Sequence, residues 1–299
     1  MGAGTSIDLV EWILLYVLWA PVLGALLLRS VVVDPERRSR ALRGYFYAAL
    51  FLHPLALVPV LVSTDAALLV LAGFDGALLA IVLATWRDER ALGAVLAEID
   101  ADPAQGARRA RRWMRQLTAR HAGSTRVEHA LALARCLDRN GRGSEADAIL
   151  EGIPRADMSP REAARVSVTL ALFALGRGDA ALARTRTARA LGRAPATAPE
   201  VHTARALWSL LDAIEGLGRR AFANLARLPR ALGSPVDRAL VALARAHALS
   251  ATGETAHARA LVRGLDAEAR PLAERWARAC VGPATPAIAG AGSVESPYR

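Results

Sequence analysis

Lysine does not occur in this chain: all 38 of its basic side chains are arginine. With Ala, Gly and Leu so abundant, that is the habit of a GC-rich bacterial genome, and the pI of 11.0 therefore overstates any affinity for nucleic acid. Cysteine is almost missing as well. Cys136 and Cys280 are read as free thiols of a reducing cytoplasm, the first of them buried, which excludes a disulfide framework. Nor is there a Walker loop, a dinucleotide fingerprint, a His-Glu-x-x-His, a Cys-x-x-Cys or a Gly-x-Ser-x-Gly. No catalytic residue, cofactor or metal site is assigned, and the chain is not expected to be an enzyme. His247 and His257 flank a turn and could face each other, but two imidazoles without a third ligand make a weak zinc site.

Charge is scarce in three apolar segments, 9–28, 45–62 and 66–85, each long enough to cross a bilayer as a helix. Only Ser63-Thr64-Asp65 joins the last two, which predicts an antiparallel transmembrane hairpin. Residues 1–8 hold no Arg, whereas a cleavable signal peptide needs a basic start, so the first segment is expected to be retained. Arg29, Arg37, Arg38, Arg40 and Arg43 follow the first segment, the 63–65 link has no Arg, and Trp86-Arg87 opens an arginine-rich remainder. The positive-inside rule then places the N-terminus outside and the C-terminal region in the cytoplasm, at a bacterial inner membrane.

Two features of these segments point to contacts. Ala72, Gly76, Ala80 and Ala84 recur every fourth residue, a small-residue stripe that admits another span or a second copy of the chain. His53 and Asp75 each lie 11 residues from Thr64, so in adjacent antiparallel helices they are expected at similar depth. There they form either a structural clasp or a proton or ligand site, because a polar group in hydrocarbon needs a partner.

After Thr85, 33 Arg face 22 acids, so the whole basic excess belongs to this part. Leu92, Val95, Leu96 and Ile99 form one face of a helix over 86–100, and Asp102-Pro103 is a stop followed by an N-cap and a first-turn proline. The next helix, 103–121, has no acid at all. It carries Arg108, Arg109, Arg111, Arg112, Arg115 and Arg120, expected to meet anionic lipid headgroups, where each Arg is worth about 1 kcal/mol.

Beyond residue 126 a pattern repeats. Gly141-Arg142-Gly143 with Ala146, Ile149 and Leu150 recurs as Gly176-Arg177-Gly178 with Ala181, as Gly216 with Ala221 and Leu225, and as Gly253 with Ala258 and Val262. Each unit reads as a helix, a glycine turn and a second helix, the logic of an α-solenoid. These units resemble tetratricopeptide repeats over 126–265. Leu133, Ala134 and Leu137 stand at the large, small and large positions of the first helix, and Ala146 and Leu150 at the small and large positions of the second. Later units depart from that pattern: Arg165 and Arg205 occupy the position that is usually aromatic, Asp212 falls where a large apolar residue is expected, and Thr185 replaces the large residue of the second helix. Pro271 is expected to open a last helix, to Val281, that covers the end of the array, and the Gly, Pro and Ala-rich tail from Gly282 is expected to be disordered.

The reading is therefore all-α: N-terminal transmembrane helices, then an α-solenoid of about four degenerate helical hairpins. Its parts are a membrane region 1–85, a juxtamembrane helix pair 86–125, a solenoid with capping helix 126–281 and a tail 282–299. The resemblance implies a membrane-anchored scaffold that binds a protein partner on a curved helical surface. The alternatives are an accessory subunit of a transport or envelope machine and an intramembrane enzyme using His53 and Asp75. Anionic lipids are expected as further partners, nucleic acid is not, and self-association through the spans is open.

Overall fold

The computed structural model describes residues 25–26, 64–120, 124–195, 198–229 and 234–280. Among them every regular element is helical. The helices are α1 (Thr64–Ala101), α2 (Pro103–Arg120), α3 (Ser124–Arg139), α4 (Gly143–Glu151), α5 (Pro160–Gly176), α6 (Ala180–Leu191), α7 (Pro199–Ile214), α8 (Gly218–Leu225), α9 (Pro235–Ala251), α10 (Thr255–Arg263) and α11 (Ala269–Ala279). The chain divides into two compact units, Met1–Ala97 and Glu98–Arg299.

The expected transmembrane helices are corrected here: among the described residues no helix is long and apolar enough to cross a membrane. The segment 66–85 is continuous with a charged continuation, because α1 runs on through Arg87, Asp88, Glu89, Arg90, Glu98 and Asp100. Thr64 and Asp65, expected in a link, are the first residues of α1. Apart from Ala25 and Leu26, the segments 9–28 and 45–62 lie outside the described residues, as does the tail from Gly282.

In the second unit, four hairpins follow one another: α3 with α4, α5 with α6, α7 with α8, and α9 with α10. Each first helix also packs on the first helix of the next hairpin. Every hairpin turns at a glycine with positive φ, Gly141, Gly178, Gly216 and Gly253, a conformation that only glycine adopts cheaply. At each turn the N–H after the glycine donates to a carbonyl five residues back, Arg142 to Leu137, Asp179 to Ala174, Leu217 to Asp212 and Glu254 to Leu249. This is the Schellman closure of a helix. The turns are evenly spaced: 141 to 178, 178 to 216 and 216 to 253 are 37, 38 and 37 residues.

That register moves the second unit. Its turn is at Gly178, not Gly176, so the buried small residue of α6 is Ala183 rather than Ala181. Ala146, Ala183, Ala221 and Ala258, five residues after the turn glycines, are all fully buried. The large position four residues later holds Leu150, Thr187, Leu225 and Val262. The divergent residue is thus Thr187, fully buried with its hydroxyl donating to the Ala183 carbonyl at 2.7 Å. Thr185 is on the surface.

Ion pairs hold the hairpins in register. Arg165 of α5 meets Glu128 of α3, Arg186 of α6 reaches Asp147 and Glu151 of α4 at 3.2 and 2.8 Å, and Arg161 reaches Glu200 of α7 at 3.2 Å. The arginine at the expected aromatic position is therefore a clamp between hairpins. Asp212, expected apolar, is fully buried but accepts from Arg184 at 3.0 Å and Asn224 at 3.1 Å, with Arg220 at 3.3 Å.

Candidate functional site

Two surfaces of the second unit are built for contact. One is the array, which the chain itself partly covers. Helix α11 buries Ala269, Ala273, Trp276 and Ala277 in the core shared with α5, α7 and α9, and packs on α9, α10 and α5. Arg275 crosses to Asp138 at the end of α3, a 2.6 Å bond over 137 residues of sequence. A Cβ on Gly178 would come within 2.9 Å of the Ala279 carbonyl oxygen, so the second turn touches the end of α11 directly. The last helix does not merely cover the array's end; it lies against the first helices of the second and fourth hairpins. Its start also differs from expectation, because Pro271 is the third helical residue and Asp266 caps the helix through the N–H groups of Glu268 and Ala269. What the array leaves open includes the second helices, where Leu217 and Phe222 are exposed.

The other surface is a cleft between α2 and the end of α4. Asp102 caps α2 through the N–H groups of Ala104 and Gln105, as Asp-Pro predicts. Gly106 lets α2 cross the end of α1, since a Cβ there would sit 2.5 Å from Ile99 Cα. Ala107, Ala110, Met114 and Leu117 form the buried stripe of α2. The neighbouring stripe, Arg108, Arg111, Arg112 and Arg115, lines a cleft of about 710 Å³ together with Met114, Arg126, Ala148, Ile149, Gly152 and Ile153. None of these described lining residues is acidic.

The charges there are unevenly matched. Arg111 lies 3.7 Å from Glu145, which Arg142 also pairs; burial pushes that carboxyl up, but the Ser144 hydroxyl, its own backbone amide and Arg142 outweigh it and hold the group below its ordinary range. Arg126 is 2% exposed, pairs with Asp157 through Nη2, and leaves Nε buried without a partner. Among the described residues no ion pair holds Arg108, Arg112 or Arg115. A second cleft of about 320 Å³ shares Ile153 and is lined by Arg155, Arg186, Arg189 and Arg193, but there Glu151 lies in the wall and pairs with Arg186.

Of the residues singled out from sequence, Arg108, Arg111, Arg112 and Arg115 come together on the cleft, whereas Arg109 turns to Glu98. Arg120 ends α2, its side chain outside the description. His53 lies outside the described residues, and of Asp75 only the place in α1 is described, so that pair is not placed. Ala80 and Ala84 are exposed on α1, and Ala72 and Gly76 lie on the same helix. His247 is buried while His257 is exposed and faces Glu254 at 3.7 Å, so the two imidazoles do not form a site. Both cysteines are buried, and neither forms a disulfide. Cys136 donates to Asp100 at 3.3 Å, and burial lifts the Cys280 thiol to about 12, so neither is poised as a nucleophile. Arg126 was not singled out from sequence, because nothing local marks a helix-start arginine as buried.

Compared with known protein families, with curated proteins and with solved structures, the chain matches none.

Proposed function

We propose that this chain is an adaptor of the helical-repeat kind, whose array holds a protein partner and carries out no reaction of its own. The observation that supports this best is the even array itself: four hairpins on a 37 to 38 residue register, the first three clamped from one to the next by arginine-carboxylate pairs. Repeats that contact only their neighbours build an extended surface rather than an enclosed reaction chamber. The resemblance to tetratricopeptide repeats points the same way. The partner meets the side of α8, where Phe222 and the preceding Leu217 are exposed. A crosslinking pulldown with the full chain and with a chain ending at residue 125 tests it. The partner is expected to be recovered only with the array, and a partner retained by the shorter chain contradicts the reading.

A further inference from the structure

We infer that the cleft between α2 and α4 is a binding site for a phosphate-class polyanion, a compact ligand carrying about three negative charges. Along the array Arg161, Arg165, Arg177, Arg184, Arg186, Arg238 and Arg275 have acidic partners, and the cleft that Arg155, Arg189 and Arg193 line holds Glu151. The α2 stripe differs in the lining it shares. Arg108, Arg112 and Arg115 converge on one concavity without an ion pair among the described residues, and no described lining residue is acidic. Three like charges within two helical turns repel one another, an arrangement that a bound anion relieves.

The floor of the cleft supplies the second, independent observation. Arg126 lines the cleft and is held in place by Asp157, so a further guanidinium is oriented there before anything binds. A phosphate oxygen is the acceptor that guanidinium geometry fits best. The carbonyl end of α4 also faces this region, but a helix C-terminus contributes only about half a negative charge, too little to balance three guanidiniums. Met114, Ile149 and Ile153 give the cleft an apolar wall, and its volume of about 710 Å³ suits an organic group beside the charged one. A soluble polyphosphate and a lipid headgroup share this chemistry. The site is independent of what the array binds.

Titration calorimetry of the full chain with inorganic tripolyphosphate and with a nucleoside triphosphate, and co-sedimentation with phosphatidate vesicles against neutral phosphatidylcholine vesicles, tests the site. At least one phosphate probe is expected to bind one per chain, with affinity that falls at least about tenfold in Arg112→Gln/Arg115→Gln and is kept in Arg189→Gln/Arg193→Gln. Arg112, Arg115 and Arg189 are exposed and Arg193 is half-buried, so both double variants are expected to fold. Binding of the soluble probes identifies a free ligand, and binding of phosphatidate vesicles alone identifies a headgroup. No binding by any phosphate probe, or an equal loss in both double variants, overturns the proposal.

Discussion

His247 shows how much a single buried side chain can set the conditions under which the array holds together. It is 1% exposed, its Nε2 has no partner, and burial pulls its pKa from 6.5 to about 4. The unfolded chain therefore takes up a proton first as the pH falls, and stability present above about 6.5 is lost toward 4, by about 3 kcal/mol in all. Urea unfolding of wild type and His247→Leu across pH 4 to 7.5 checks this. The difference between them is expected to narrow in favour of the variant as the pH drops, and parallel curves would show that the imidazole is not buried neutral. Asp212 is the second test at this scale. Its carboxylate, fully buried, collects Arg184, Arg220 and Asn224, so Asp212→Ala is expected to cost about 2 kcal/mol. Arg220→Gln, which alters a largely exposed partner, is expected to cost well under 1 kcal/mol.

At the scale of elements, the turns were legible and their partners were not. Gly253 stands alone as a left-handed turn candidate, whereas Gly141-Arg142-Gly143 and Gly216-Leu217-Gly218 each hold two glycines, of which the structure uses the first. Gly176-Arg177-Gly178 offers two, and the choice depends on a hydrogen bond from Asp179 to Ala174 that no composition rule supplies. Placing the turn two residues early misassigned the buried face of α6. The basic stripe of α2 was visible from its spacing, whereas Arg126 and the walls from α4 come from another hairpin and have no local signal. Docking of α11 was the least readable, because the Arg275 to Asp138 bond joins residues 137 apart. It also gives a comparison between turns. Gly178→Ala and Gly216→Ala each force an alanine into positive φ at about 1 to 2 kcal/mol, but only the first meets the Ala279 carbonyl. Gly178→Ala is expected to loosen α11 and shift the fluorescence of Trp276 at lower denaturant than Gly216→Ala does. Identical behaviour of the two would mean that α11 does not rest on the second turn.

For the molecule as a whole, one design rule recurs: a small apolar vocabulary builds the hairpins, and arginine joins the first three to one another. Buried alanine five residues after each turn lets the helices approach closely, while clamps such as Arg165 to Glu128 and Arg186 to Glu151 fix one hairpin on the next. The side offered to a partner is that of α8, where Phe222 and the preceding Leu217 are exposed. Since the chain has no lysine, amine-directed crosslinkers can reach only its N-terminus, and a photoreactive amino acid placed by position is the suitable probe. The measurement that bears most directly on the adaptor reading installs it at Phe222 and, separately, at Trp86 in the first unit, and illuminates the full chain in its native cell. A discrete protein adduct is expected from position 222. Adducts from position 86 with none from position 222 would contradict it.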